Sequence, residues 1–200
     1  QTFLGLMGTL DSMRLTDPLG QTTGQGWLVG PYFVSRIGDT SLAFEARALT
    51  GRTQDRVAQA GEAASIVSGE RSLVMAKLSG TYALTEHLTL SPKLYAASVK
   101  ETSAAYRAAG GTPIPGISTS YSQQSLSLDL RHESVNAYGE LTLTGGLGWF
   151  LSDDTISQKG QGISYSFGVE QQIGSETRIR FDVSGQRDFD NRMNRMGLSL

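Results

Sequence analysis

Few residues in this chain have side chains suited to covalent catalysis. There is no cysteine, and the two histidines are His87 and His132. A histidine acts as a general base only beside a positioned partner, and no spacing singles out one of the many Ser and Asp residues. Without cysteine, a disulfide framework, a thiolate zinc site and a cysteine nucleophile are all excluded. We therefore expect no enzyme activity, no catalytic residue, no metal site and no cofactor.

Two further classes of function are disfavoured by composition and context. The segment 145–148, Gly-Gly-Leu-Gly, superficially resembles a phosphate-binding loop, but it lies within a strand-like pattern rather than before a helix. It is better interpreted as part of a β-strand that lies beside a bulge or a close-packed element. The formal charge of −2, the pI near 5.7 and the lack of any run of basic residues argue against nucleic acid as a partner.

Isolated charges of both signs recur on the polar face of several segments and are the remaining candidates for function. If they line a pore, they hydrate it and contact a polypeptide segment that passes through it. A lining of mixed charge suits such a path, because it binds no single sequence tightly. The alternative is that they form interior ion pairs that only stabilise the wall, and such partly exposed pairs usually contribute little. The predicted pore-lining residues are Glu45, Arg47, Lys77, Lys93, Asp129, Arg131, Glu140, Glu170, Arg178, Arg180 and Asp182.

The elements that must position these charges are predicted to be β-strands within one domain, residues 1–200. Hydrophobic residues make up 38% of the chain and there are 24 glycines, a composition that favours many short strands joined by turns. Apolar and polar residues alternate with a period of two in ten segments. Two of these contain prolines, Pro31 and Pro92, which cannot donate to a strand ladder. The segments begin near Leu4, Trp27, Leu42, Val74, Leu88, Leu126, Leu141, Ile163, Ile179 and Met196.

The connections predict an up-and-down antiparallel arrangement. Short turns are expected at 38–40, 85–87, 133–136 and 174–176. Longer loops are expected at 16–25, 53–69, 101–118 and 152–160, with a tighter one at 188–191, so that long and short connections alternate. Outer-membrane barrels have short periplasmic turns and long outer loops. No run approaches 18 apolar residues, so a transmembrane helix is not expected.

The distribution of residue types between the two faces favours a membrane wall over a soluble fold. The polar face is rich in Ser, Thr and Gly, with charges of both signs, which suits a lumen enclosed by a lipid-facing apolar wall. The alternative, a soluble ligand-binding barrel, would need to fill its interior with large apolar side chains from ten strands. Members of the two interfacial aromatic girdles are expected among Trp27, Tyr82, Tyr95, Tyr138, Trp149, Phe150, Tyr165 and Phe167.

Two stretches resemble the translocator β-domain of autotransporters, the type V secretion proteins. One is Gly26-Trp27-Leu28-Val29-Gly30-Pro31-Tyr32-Phe33, followed by residues 42–48 and Gly51-Arg52; the other is Lys77-Leu78-Ser79-Gly80-Thr81-Tyr82, leading to Leu88-Thr89-Leu90-Ser91-Pro92. The resemblance covers nearly the whole chain. It implies an all-β, antiparallel up-and-down transmembrane β-barrel of twelve strands, threaded by an α-helix that connects to a passenger.

Ten strands are visible in this sequence, and the last residues, Met196 to Leu200, lack the terminal aromatic residue of the family. We therefore expect the chain to be a fragment that lacks N-terminal strands and the passenger. The resemblance implies a translocator of the bacterial outer membrane that anchors and exports its own passenger through or with a hydrophilic pore. The implied partners are outer-membrane lipid and lipopolysaccharide, the barrel assembly machinery and the passenger. The alternative is a passive porin-like or structural barrel without a passenger.

Overall fold

The structure is a computed structural model of the 200-residue chain. It describes residues 1–17, 20–59, 64–108, 111–155, 158–174, 177–189 and 194–199. No helix in these ranges is long and apolar enough to cross a bilayer.

Ten long strands account for most of the described residues, and each contains one of the ten predicted segments. They are β1 (Thr2–Asp17), β2 (Gly20–Arg36), β3 (Leu42–Gln59), β4 (Ser65–Gly80), β5 (Leu88–Ser103), β6 (Ser118–Asn136), β7 (Gly139–Asp154), β8 (Gln158–Ile173), β9 (Thr177–Asp188) and β10 (Asn194–Ser199).

The strands form one antiparallel sheet in which each strand pairs with its neighbours in sequence, from β1 to β10. The short strand Tyr82–Ala83 adds to the edge of β5, and Tyr106–Arg107 pairs with Pro113–Ile114 in the connection between β5 and β6. This sequential order confirms the predicted all-β, antiparallel up-and-down fold.

Both in-strand prolines lie where the ladder has a gap on one side. Pro31 pairs with Leu6 of β1, but the β2–β3 pairing is interrupted between Val29 and Tyr32. Similarly, Pro92 pairs with Leu128 of β6, whereas the β4–β5 pairing ends at Lys93. Since proline lacks an N–H, it is tolerated where no ladder hydrogen bond is required on that side. The two strands therefore form despite their prolines.

The sheet curves strongly, and the face with the predicted pore-lining charges is concave. Arg71 of β4 lies 2.6 Å from the Asp11 carboxylate of β1, measured from Nη1 to Oδ2. In a flat sheet, strands three steps apart would be separated by about 14 Å. Such a short side-chain contact requires the two strands to bend toward each other. We call this side the concave face and the opposite side the outer face.

The two faces differ in burial. The buried side chains Leu28, Leu49, Thr53, Val67, Met75 and Phe150 all belong to the concave face by register. The outer face instead exposes large apolar side chains. On β1 alone, Leu4, Leu6 and Leu10 are 78%, 85% and 88% exposed. The predicted charges are thus turned inward and the apolar belt outward, as the sequence predicts, while the concave face also holds buried apolar side chains.

The apolar belt of the outer face runs obliquely across the sheet. Leu10 of β1 pairs with Trp27, and the same row of the ladder leads to the polar residues Arg52, Glu70 and Thr102. On later strands the apolar residues lie closer to the end of the sheet where the predicted short turns 38–40, 85–87, 133–136 and 174–176 lie, which we call the short-turn end. The row of Val183, for example, contains Phe167, Leu130 and Leu90. The apolar residues thus shift along the strand direction from one strand to the next, as expected of the tilted and staggered strands of a barrel wall.

The predicted long loops are wrong in extent, and so is the alternation of long with short connections: β1 ends at Asp17 and β2 begins at Gly20, whereas seven residues separate Gly80 of β4 from Leu88 of β5. Residues 20–25 and 53–59 belong to β2 and β3, and 65–69 belong to β4. The strands continue beyond the apolar belt as polar residues, whose backbone groups remain paired although their side chains no longer alternate in hydropathy. Ala58, which falls in the predicted loop 53–69, lies in β3; Ala60 and Ala63 of the same predicted loop lie outside the described residues.

Candidate functional site

The concave face gathers all of the predicted pore-lining charges. Strand alternation places every one of them on the same side of the sheet, although they come from β3 to β9. Glu45 of β3, for example, lies opposite Lys77 of β4, and Glu170 of β8 lies opposite Arg180 of β9. The period-two pattern alone therefore sufficed to group these residues.

Ion pairs connect most of these charges. Glu45 contacts both Arg47 and Lys77, at 3.6 and 3.9 Å, and Lys93 pairs with Asp129. The others are Arg178–Glu170 at 3.3 Å, Arg180–Asp182 at 2.5 Å and Arg131–Glu133 at 2.7 Å. Glu140 lies on the same face at the short-turn end of β7. These charges form a mixed, mostly paired wall, and each partly exposed pair contributes little stability by itself.

A cavity of 820 Å³ opens on this wall. Its charged lining comprises Lys77, Lys93, Asp129, Arg131, Arg180 and Asp182, with hydroxyl groups from several Ser and Thr residues between them. Strands from β4 to β9 contribute, so the cavity belongs to the sheet as a whole rather than to one hairpin. Its lining carries more basic than acidic groups and would hold water or a polar segment.

A further polar cluster, which sequence analysis missed, lies nearer the opposite end of the strands. Arg71 Nε donates to Glu101 at 2.8 Å and Nη1 donates to Asp11 at 2.6 Å. Thr53 contributes a hydroxyl 3.4 Å from Glu101, and Asp55 lies on the same face of β3. Thr53, Asp55 and Glu101 fall within the predicted loops 53–69 and 101–118. Continuing the odd-numbered alternation of Glu45 and Lys77 would have placed Asp55 and Arg71 on the concave face.

The concave face is apolar over its first strands. Leu49 and Met75 are 4% and 3% exposed, and Leu28 lies beside them on β2. Both faces of β2 are nearly equally apolar in sequence, because Leu28, Tyr32 and Val34 alternate with Trp27, Val29 and Phe33. The first strands thus offer an apolar inner surface and the later strands a charged one.

The aromatic residues divide between the two faces. Trp27, Trp149, Tyr165 and Phe167 are exposed on the outer face, as the girdle prediction requires. Phe150 is not a girdle member, because it is a buried concave-face residue that covers Gly162 of β8. Tyr95 also lies on the concave face, opposite Lys77.

The two histidines meet at the short-turn end of the sheet. His87 precedes β5 and His132 lies in β6, with ring centroids 6.5 Å apart in an edge-on arrangement. The Glu133 amide donates to the His87 carbonyl, which fixes the turn against β6. Within the described residues, no three His, Asp or Glu side chains are grouped so as to hold a metal ion.

The comparisons with known proteins support the fold. No family model matches the chain, and no curated protein matches it. Among solved structures, the chain is similar to the β domain of the Bordetella autotransporter BrkA, with a TM-score of 0.70 and 14% identity. The match covers 98% of this chain and 80% of that one. The chain therefore has the fold of an autotransporter β domain.

Proposed function

We propose that this chain is a translocator of the bacterial outer membrane that anchors a passenger segment and exports it through or with a hydrophilic pore. The observation that carries the proposal is the inverted distribution of residues, with an apolar belt outside and paired charges inside, on the fold of an autotransporter β domain. The proposed role involves no covalent chemistry, cofactor or nucleic acid.

The outer face supports a position in lipid. Burying a leucine side chain is worth about 1.5–3 kcal/mol relative to leaving it in water, and β1 alone exposes three leucines by more than three quarters. A soluble protein rarely maintains such a large contiguous apolar surface. Lipid would cover this belt, whose oblique course matches strands tilted in a bilayer.

The concave face supports a path for a polypeptide. Its paired charges from Glu45 to Asp182 would hydrate a passing chain without holding it. The apolar inner surface around Leu28, Leu49 and Met75 would pack against a segment that remains inside as an anchor. The eleven predicted pore-lining residues are proposed to act in this way as a set.

The proposed partners follow from this role. Outer-membrane lipid, including lipopolysaccharide, would surround the belt, and the barrel assembly machinery would insert the strands. The passenger would be a segment of the same polypeptide.

Folding in lipid tests the membrane part of the proposal. The purified chain is refolded in plain buffer, in nonionic detergent and in phosphatidylcholine vesicles, and its gel migration is compared before and after heating. We expect a compact, heat-modifiable band in detergent and lipid only. A monodisperse folded protein in plain buffer would contradict the proposal and favour the soluble barrel.

Surface display tests export. The chain is expressed with an epitope-tagged reporter joined to its N-terminus by a helical linker, and intact cells are treated with protease. Loss of the epitope at the cell surface supports translocation. A folded barrel whose reporter stays protected, together with steady channel conductance, would favour the porin-like alternative.

A further inference from the structure

The outer face carries its charges on only one side of the apolar belt. In the strand residues whose side chains the structure describes, the outward-facing charged groups all lie toward the end of the 103–118 connection. Six are basic and two are acidic: Arg14, Arg52, Arg56, Lys100, Lys159 and Arg187, with Glu70 and Asp153. The opposite end of the outer face presents Ser, Thr, Gln, His132 and apolar residues in these strands.

The two acidic groups offset only part of this basic band. Glu70 lies opposite Arg52, and Asp153 lies opposite Lys159. By contrast, Arg14 and Arg56 flank Thr23 on adjacent strands, with no carboxylate in their row. Lys100 likewise lies between Ser72 and Ser120. An excess of positive charge therefore remains along the edge of the apolar belt that is nearer the 103–118 connection.

Arg14 and Arg56 are spaced to receive separate anionic groups. Two strand steps place their Cα atoms about 10 Å apart. The Gln21 amide oxygen, when turned toward Arg14, accepts from Nε and Nη2 at 2.6 and 2.7 Å. This contact orients the guanidinium and leaves its remaining N–H groups directed away from Gln21. Arginine is well suited to phosphate because its planar fork donates two parallel hydrogen bonds.

A groove on the same side joins the apolar belt to the basic band. It measures 740 Å³, and Leu10, Trp27, Arg52 and Glu70 are among the residues that line it. A lipid whose acyl chain lies along Leu10 and Trp27 would carry its head group past the pair Arg52 and Glu70 toward Arg56, four residues further along the same face of β3.

We propose that this basic band, chiefly through Arg14 and Arg56 at its β1–β3 end, binds the phosphate groups of lipopolysaccharide in the outer leaflet. The inference rests on the proposed function, because it requires the belt to lie in the membrane. It adds the orientation: the end that bears the 103–118 connection faces the outer leaflet. Phosphorylated sugar lipids fit better than zwitterionic phospholipids because the band has excess positive charge.

A lipid titration tests the inference. The chain is folded in nonionic detergent, and diphosphoryl lipid A, enzymatically dephosphorylated lipid A or phosphatidylglycerol is added at equal concentrations. Bound lipid is counted by native mass spectrometry. We expect diphosphoryl lipid A to bind at least about tenfold more tightly than either competitor, with affinity falling as salt rises. Equal binding of the dephosphorylated lipid, or of phosphatidylglycerol, would overturn the inference.

Matched variants locate the site. Arg14→Gln/Arg56→Gln is expected to lower lipid A affinity about tenfold or more, whereas Arg36→Gln, an arginine at the short-turn end, leaves it unchanged. If the double Gln variant fails to fold, Arg14→Lys/Arg56→Lys keeps the charge and removes the bidentate geometry, and it should retain partial affinity. Wild-type affinity in both double variants, or an equal loss in Arg36→Gln, contradicts the assignment.

The two proposals fail in different ways. A chain that does not fold in phosphatidylcholine vesicles contradicts the membrane function itself. A chain that folds there but binds lipid A without regard to its phosphates contradicts only the basic band.

Discussion

Gly51 shows how a single residue permits the close pairing of β2 and β3. It lies opposite Leu28, and a β-carbon at this position would overlap the backbone carbonyl of Trp27. Because the obstacle is backbone rather than a flexible side chain, a larger residue must displace the strand. Gly145 of β7 differs, since a β-carbon there would meet no atom within 4 Å.

We therefore expect Gly51→Val to lower the free energy of unfolding by about 3 kcal/mol, whereas Gly145→Val leaves it unchanged or slightly raised. Urea unfolding of detergent-refolded protein, followed by tryptophan fluorescence, measures both. Equal midpoints for the two variants would show that β2 and β3 separate without cost at Gly51.

Arg71 is the second residue whose contribution follows from its contacts. It neutralises Asp11 and Glu101 at once, and its side chain is 25% exposed. Arg71→Met would leave two neighbouring carboxylates without their shared cation, so we expect a loss of about 1–3 kcal/mol in unfolding free energy. Arg178→Met is the matched control, because that side chain is 62% exposed and should cost less than about 1 kcal/mol. Indistinguishable unfolding curves for the two variants would contradict a structural role for the Arg71 cluster.

At the scale of the element, alternation predicts which face of a strand meets lipid. Leu147 of β7 is 70% exposed on the outer face, and Thr144 of the same strand lines the concave cavity. Leu147→Arg places a charge in the apolar belt and should cost about 2–4 kcal/mol in lipid. Thr144→Arg adds the same charge to the hydrated face and should be tolerated. Folding yields in phosphatidylcholine vesicles compare the two, and the reverse order would mean that the faces are interchanged.

Sequence patterns predicted strand identity better than strand length. In segments such as 126–130, leucines alternate with polar residues, and the face assignment follows directly. Beyond the belt, as at Thr53 and Asp55, side chains on both faces are polar, so alternation disappears although the ladder continues. The contact between Arg71 and Asp11 could not be predicted either, because it depends on the curvature that brings β1 and β4 together.

At the scale of the whole molecule, curvature turns scattered strand charges into one lining. Lys93 on the concave face and Lys100 on the outer face belong to the same strand, and only Lys93 reaches the cavity. If this lining forms part of a pore, Lys93→Gln removes a positive charge from the ion path and leaves Asp129 without its partner. We expect the reversal potential in a salt gradient to shift toward cation selectivity, because a fixed negative charge attracts cations. Lys100→Gln removes the same charge from outside the path and should leave selectivity unchanged. Planar bilayer recordings measure both variants. Unchanged selectivity in Lys93→Gln would favour the reading in which the inward-facing pairs only stabilise the wall.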